Sequence, residues 1–124
     1  MTINYKSWNC KEDYTIEANE VTIGTEKQID WANDLKATAI QVVMSGMERI
    51  KTEANNPGTA YGKPGCEEKT AGAIEQCKEI ARRLDAIQDA KVFIDARTGW
   101  NANARARSYD YKEIRAIVLA HKLV

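Results

Sequence analysis

The chain has 124 residues, with 18 Lys plus Arg balanced by 18 Asp plus Glu, one His, three Cys and a formal net charge of zero. That length makes one domain with a modest core, so residues 1–124 read as a single unit. Hydrophobic residues at 44% and charged residues at 29% are ordinary globular values, which excludes a disordered, collagen-like or coiled-coil chain.

A membrane span needs about 18 consecutive apolar residues, whereas the longest uncharged run, Ala37 to Met47, is 11 residues and contains Thr38, Gln41, Ser45 and Gly46. No apolar stretch of signal-peptide length opens the sequence. Cys10, Cys66 and Cys77 are odd in number and lack C-x-x-C spacing, so neither a disulfide framework nor a thiolate zinc site is expected. The expectation is a cytoplasmic protein with reduced thiols, and with Cys77 as a small buried hydrophobe.

The first 24 residues read as extended. Ile3 and Tyr5, Tyr14 and Ile16, and Val21 and Ile23 alternate with polar neighbours, the period of half-buried strands. Glu17-Ala18-Asn19-Glu20 is short and polar enough to turn between the last two, giving a small antiparallel sheet. Gly24 stops the strand, and Thr25 followed three residues later by Gln28 has capping-box spacing. From Glu26 the apolar positions Ile29, Ala32, Leu35, Ala39, Val42, Val43, Met47, Ile50 and Ala54 form one stripe. The stripe is broad around Ile40 to Met44, which predicts burial on more than one side and a partner surface. Asn55-Asn56-Pro57-Gly58 ends this helix.

Residues 55–65 form a loop, and a second helix is predicted from about Cys66 to Gln88 through Ala73, Ile74, Cys77, Ile80, Ala81, Leu84 and Ile87. Its glutamates lie early and Arg82 and Arg83 late, the order that the helix dipole favours. Asp89 to Asp95 fits either an Asp-capped helical turn or a short strand. Thr98 to Ser108 reads as an ordered loop, and Tyr111 to Leu123 as a closing helix, with a strand over Ile117 to Leu119 as its rival. The fold class expected is α+β: a small antiparallel N-terminal sheet packed with two long antiparallel helices and a short C-terminal αβ segment.

Catalytic constellations are sparse. The single histidine, His121, lies in an apolar-rich segment and reads as core or rim; nothing places Ser7, Cys10 or Ser108 beside it. No catalytic residue, metal site or cofactor is expected. The run Pro57 to Gly65 departs from a phosphate loop, because three residues separate Gly58 from Gly62 and Pro64 follows Lys63. Charge is more informative. Residues 1–89 carry 11 basic and 15 acidic side chains, a net −4, and residues 90–124 carry 7 and 3, a net +4. In the basic part Arg97, Arg105, Arg107 and Arg115 are interleaved with Phe93, Trp100, Tyr109 and Tyr111, and with Asn101 and Asn103. Guanidinium groups fork onto phosphates and stack on rings, aromatic faces stack on bases, and Asn pairs with an adenine edge. A net +4 is small for a duplex DNA binder, so a small phosphate-bearing nucleotide is the better match. The bland reading makes Phe93, Trp100 and Tyr111 core and the arginines a solvated or dimer-facing surface.

Gly24-Thr25-Glu26-Lys27-Gln28-Ile29-Asp30-Trp31-Ala32 opening a long helix, followed by Asp89-Ala90-Lys91-Val92-Phe93-Ile94-Asp95-Ala96-Arg97, resembles short proteins of phages and mobile elements. Among these, the length and the N-terminal strands resemble the Thoeris anti-defence protein 1 family, phage sponges for cyclic ADP-ribose signals. The resemblance implies a non-enzymatic protein in the host bacterial cytoplasm, sequestering a cyclic ADP-ribose isomer, with its pocket at a homodimer that assembles further and with members that also take cyclic oligonucleotides. It implies Phe93, Asn103 and Arg115 as ligand-binding residues, with Arg97, Asn101, Arg105 and Arg107 beside them, and the interleaving of rings and arginines adds Trp100 as a ligand-binding candidate. Two rivals stand: a nucleotide hydrolase using Asp95 or Asp110 with a divalent ion, and a protein-interaction module built on the first helix.

Overall fold

The structure is a computed structural model that describes residues 1–6, 13–102 and 111–123. Two strands and four helices are present among them: β1 (Thr2–Lys6), β2 (Asp13–Glu17), α1 (Glu26–Ala54), α2 (Glu67–Ala86), α3 (Ala90–Ala96) and α4 (Tyr111–Ala120). The fold is α+β, with a two-stranded antiparallel N-terminal sheet against a helical body.

Period-2 alternation sets the sheet. Ile3 opposes Ile16 and Tyr5 opposes Tyr14, so one face carries both pairs, and the two tyrosine rings stack at 5.4 Å. Ile3 and Tyr5 are buried. The sheet is tied to α1 by the Tyr5 hydroxyl, which donates to Glu48, and by the Gln41 amide, which donates to the Asn4 carbonyl at 3.0 Å. Burial and the Glu48 carboxylate push the Tyr5 phenol well above its ordinary value.

The third extended segment does not join this sheet as a hairpin partner of β2. Ile23 makes an isolated parallel bridge to Asp89, with Ala90 N–H donating to the Ile23 carbonyl at 2.9 Å. The turn expected at residues 17–20 is occupied otherwise: Asn19 donates from its backbone and its side chain to the Asp85 carboxylate at 2.7 and 2.9 Å. Val21 is buried and Ile23 exposed, because the segment is held from α1 and residues 88–90 and not by a neighbouring strand.

Helix α1 starts at the predicted capping box: Gln28 N–H donates to Thr25 Oγ1, and Thr25 N–H donates to the Gln28 side chain. Its broad stripe is buried as expected, from Ala39 and Ile40 through Val42, Val43, Ser45, Gly46 and Met47. That breadth is used within the chain, since the sheet, α2 and the α3–α4 segment each pack on α1. Lys36 beside Asp85, Ile40 and Met44 beside Ala81, and Ile50 beside Ala73 and Cys77 make α1 and α2 antiparallel. The loop between them is a close turn in which a Cβ on Gly62 would lie 1.8 Å from the Asn56 carbonyl oxygen. Cys77 is core, as its place in the stripe predicted.

The open choice at residues 89–95 resolves as a helix: the Asp89 side chain accepts from Lys91 N–H at 3.0 Å, and Ala90, Phe93 and Ala96 face inward. The C-terminal segment expected as mixed αβ is thus α3 and α4, its β feature being the bridge at Asp89. No helix among the described residues is long and apolar enough to cross a membrane.

One cation organises the junction of these elements. Lys36 is fully buried; its ammonium donates to the Asp85 carbonyl at 2.7 Å and the Ile87 carbonyl at 3.1 Å, lies 3.9 Å from the Asp85 carboxylate, and sits 5.9 Å from the centre of the Phe93 ring. The last carbonyls of a helix have no partner inside it, and here a lysine of another helix supplies one. This contact explains why α2 stops at Ala86, two residues before the predicted end: Ile87 is extended, and its carbonyl turns to the ammonium.

Replacing Lys36 therefore strands buried carbonyls and opens space. Lys36→Ala is expected to lower unfolding free energy by about 3 kcal/mol, and Lys36→Met, which keeps the stem, by about 1 kcal/mol, both read by urea denaturation. Desolvation holds the ammonium below its ordinary 10.5, against the pull of Asp85. The unfolded chain therefore binds more protons between the lowered value and 10.5, and stability rises with pH in that window. Lys36→Met should abolish the rise. The buried Cys77 thiol, raised from 9.0, and the Tyr5 phenol, raised from 10.0, pull stability down as pH rises past those values, so the Lys36 contribution is read as the difference between wild type and Lys36→Met at each pH.

Candidate functional site

The described candidate residues of the basic segment do not form one patch. Phe93 is fully buried between Lys36 and His121, whose ring meets it edge-on at 5.4 Å. Trp100 is buried on the other side of His121, with ring centres 5.9 Å apart. These two aromatics thus meet as core, as the bland sequence reading held. The α3 stripe of Ala90, Phe93 and Ala96 turns Phe93 inward by helical spacing.

Arg97 and Arg115 go to different places. Arg97 leaves the end of α3, donates to the Ile94 carbonyl and lays its guanidinium 4.9 Å from the centre of the Trp31 ring, an indole that is 46% exposed. Arg115 is exposed on α4, and Asn101 is an exposed turn residue whose N–H donates to Glu113 at 2.6 Å. Asn103, Arg105 and Arg107 lie outside the described residues, as do Cys10, Ser108, Tyr109 and Asp110.

Arg115 lines a groove of about 650 Å³ where α4 lies across the α1–α2 pair. Its floor is Ile50, Ala73, Cys77 and Ile80, and its α4 wall is Ile114, Val118 and Leu119. The polar members are Tyr61 from the α1–α2 loop, Gln76 from α2, and Lys112 and Arg115 from α4. A volume of this size suits a small organic molecule, and an apolar lining with a few directed polar groups is the usual make-up of such sites. Lys112 and Arg115 are three apart on one helix, hence on the same face. They bring two cations to a groove that also offers a phenol ring and an amide.

Sequence reasoning found Arg115 and missed Tyr61, Gln76 and Lys112. Their signals were weak, because each comes from a different element and only the fold brings them together. The exposure of Trp31 and its pairing with Arg97 come from the fold. His121 is buried, as its apolar segment indicated, and burial pushes its imidazole below the ordinary value against the Ile117 carbonyl bond. Burial raises the Cys77 thiol, so at the groove floor it stays protonated. Asp95 is exposed on α3, and no group of three or more His, Cys, Asp or Glu side chains that could hold a metal occurs among the described residues.

No family model matches the chain, and neither curated proteins nor solved structures give a match.

The placements separate two variants. Phe93→Ala removes a fully buried ring and should cost about 3–5 kcal/mol, so any loss of binding would arrive with loss of the fold. Arg115→Ala touches an exposed side chain and should change stability by less than about 0.5 kcal/mol. Thermal unfolding followed by circular dichroism tells them apart.

Proposed function

We propose that the protein is a non-enzymatic capture protein for a cyclic ADP-ribose-type nucleotide, acting in a bacterial host cytoplasm as a phage sponge that blocks Thoeris signalling. The observation that carries this reading is the pairing of Arg115 and Lys112 on the wall of the α1–α2–α4 groove. Two cations there match the two phosphates of such a ligand, the Tyr61 ring offers a stacking face for adenine, and the Gln76 amide offers a paired donor and acceptor. The family resemblance supplies the identity of the nucleotide and the expectation of a homodimer or larger homo-oligomer. Leu119, 58% exposed at the groove edge, supports self-association there.

A second reading is favoured by the apolar floor of the same groove: a protein-interaction module that seats an apolar helix face. The two are separated by ligand retention. Purified protein is mixed with a panel of cyclic ADP-ribose isomers, washed, heated and analysed by mass spectrometry. Intact nucleotide is expected in the released fraction, with Arg115→Ala and Lys112→Ala each weakening capture about 10- to 100-fold through loss of a charge-assisted bond. Altered nucleotide would favour the hydrolase. No retained nucleotide from any isomer would favour the interaction module.

A further inference from the structure

Helix α4 has two faces with different work. Lys112, Arg115, Val118 and Leu119 line the groove, Ile117 and His121 face the core, and buried Ile114 touches both. The end of the helix is held closely, since a Cβ on Gly99 would lie 2.8 Å from that of Ala120. His121 follows at once and is 5% exposed.

The protonation state of His121 can be read from its partners. Nδ1 lies 2.7 Å from the Ile117 carbonyl oxygen. A carbonyl only accepts, so Nδ1 carries the hydrogen and Nε2 is a bare lone pair. Among the described residues Nε2 is buried without a hydrogen-bond partner, and so is the indole nitrogen of neighbouring Trp100. Phe93 packs edge-on against the same imidazole.

A proton on Nε2 would create an imidazolium with no hydrogen-bonding anion among the described residues. The nearby charges are cationic: Lys36 of α1 lies across the Phe93 ring, Arg83 of α2 donates to the Leu123 carbonyl, and Lys122 is the next residue. Of the described acidic groups on the packed elements, Asp85 of α2 is engaged by Lys36 and Asn19, Glu79 of α2 by Arg82 and Arg83, Asp89 before α3 by the Lys91 N–H and Glu113 of α4 by the Asn101 N–H, while Asp95 of α3 is exposed. Arg97 of α3 is turned away onto Trp31. Opening the end of α4 would hydrate the cation.

We infer that His121 is an acid-sensitive latch: neutral, it seats α4 against Phe93 and Trp100, and protonated, it releases the helix that carries Lys112 and Arg115. That release empties the groove rests on the capture reading above; the latch itself does not.

The test uses the ligand-free wild-type protein. Its single histidine gives one imidazole signal for a proton NMR titration, and hydrogen exchange, corrected for intrinsic rates, reports opening of residues 113–121 against α1. In the opened state the imidazole titrates near its ordinary value of about 6.5, so α4 opening should increase about tenfold from pH 7.5 to pH 5.5. The α1 protection should hold, and His121→Phe should remove the α4 response. The latch is overturned if α4 protection is unchanged to pH 5.5, if α1 opens equally, or if the imidazole titrates at or above 6.5. Persistence of the drop in a folded His121→Phe protein would overturn it too. Should that variant fail to fold, the two wild-type measurements decide alone.

Discussion

A fully buried ammonium at the end of a helix is the constraint on which the rest of this fold depends. Lys36 cannot be hydrated where it stands, so it must be met by protein oxygens, and the oxygens that meet it are the terminal carbonyls of α2. Those carbonyls need a donor for the same reason. Each group is tolerable inside only because the other is there. The Asp85 carboxylate then serves two elements, facing Lys36 and accepting twice from Asn19, which pins the segment leaving β2. Because α2 must stop at this point, residues 87–89 run extended, bridge to Ile23, and deliver Asp89 as the cap of α3. Phe93 on α3 then closes the space above the ammonium. One side-chain position thus sets a helix end, a chain crossing and the start of the next helix.

The groove is the complement of that arrangement at the opposite end of the helix pair. The apolar stripes of α1 and α2 continue past the region covered by the sheet and α3, and α4 lies over them there. A ten-residue helix presents one face inward and one outward, so its core residues fix its position while Lys112, Arg115 and Leu119 are left at the rim. The mixed character of the groove, apolar below and cationic at one wall, follows from this single crossing.

Much of this was legible in the sequence. The capping box at Thr25, the extent of α1 and the antiparallel pairing of the long helices follow from local rules of spacing and capping, which the tertiary structure did not override. The Lys36 position was also readable in principle: the core line Ala32, Ile40, Val43, Met47 passes through residue 36 at a step of four, and a lysine within such a line needs a buried partner. What the sequence could not convey was which residues meet across elements. Alternation at Val21 and Ile23 suggested a third strand, but the partner of that segment lies near residue 88, chosen by where α2 ends. Interleaving of Phe93 and Trp100 with arginines along the chain suggested one stacking surface. Helical geometry sends the rings inward, Arg97 to Trp31 and Arg115 to the groove. Among the described residues, then, Arg97 and Arg115 lie on separate surfaces and do not share a single basic patch.

The two sides of the Phe93 ring differ in how well their buried polar groups are met, and this bears on where the fold yields first. On the Lys36 side the ammonium has two carbonyl acceptors. On the His121 side, Nε2 and the Trp100 indole nitrogen are enclosed without partners among the described residues, and each such group costs about 1–3 kcal/mol relative to a hydrated state. Local opening is favoured where it relieves such costs, so α4 is the element expected to yield first. The α4 wall of the groove goes with it. A ligand that bridges Lys112 and Arg115 to the α2 floor would bind only the closed arrangement and stabilise it in proportion to its affinity. Occupancy of the groove and order of α4 are then one equilibrium, set at one side by the ligand and at the other by the imidazole beneath the helix.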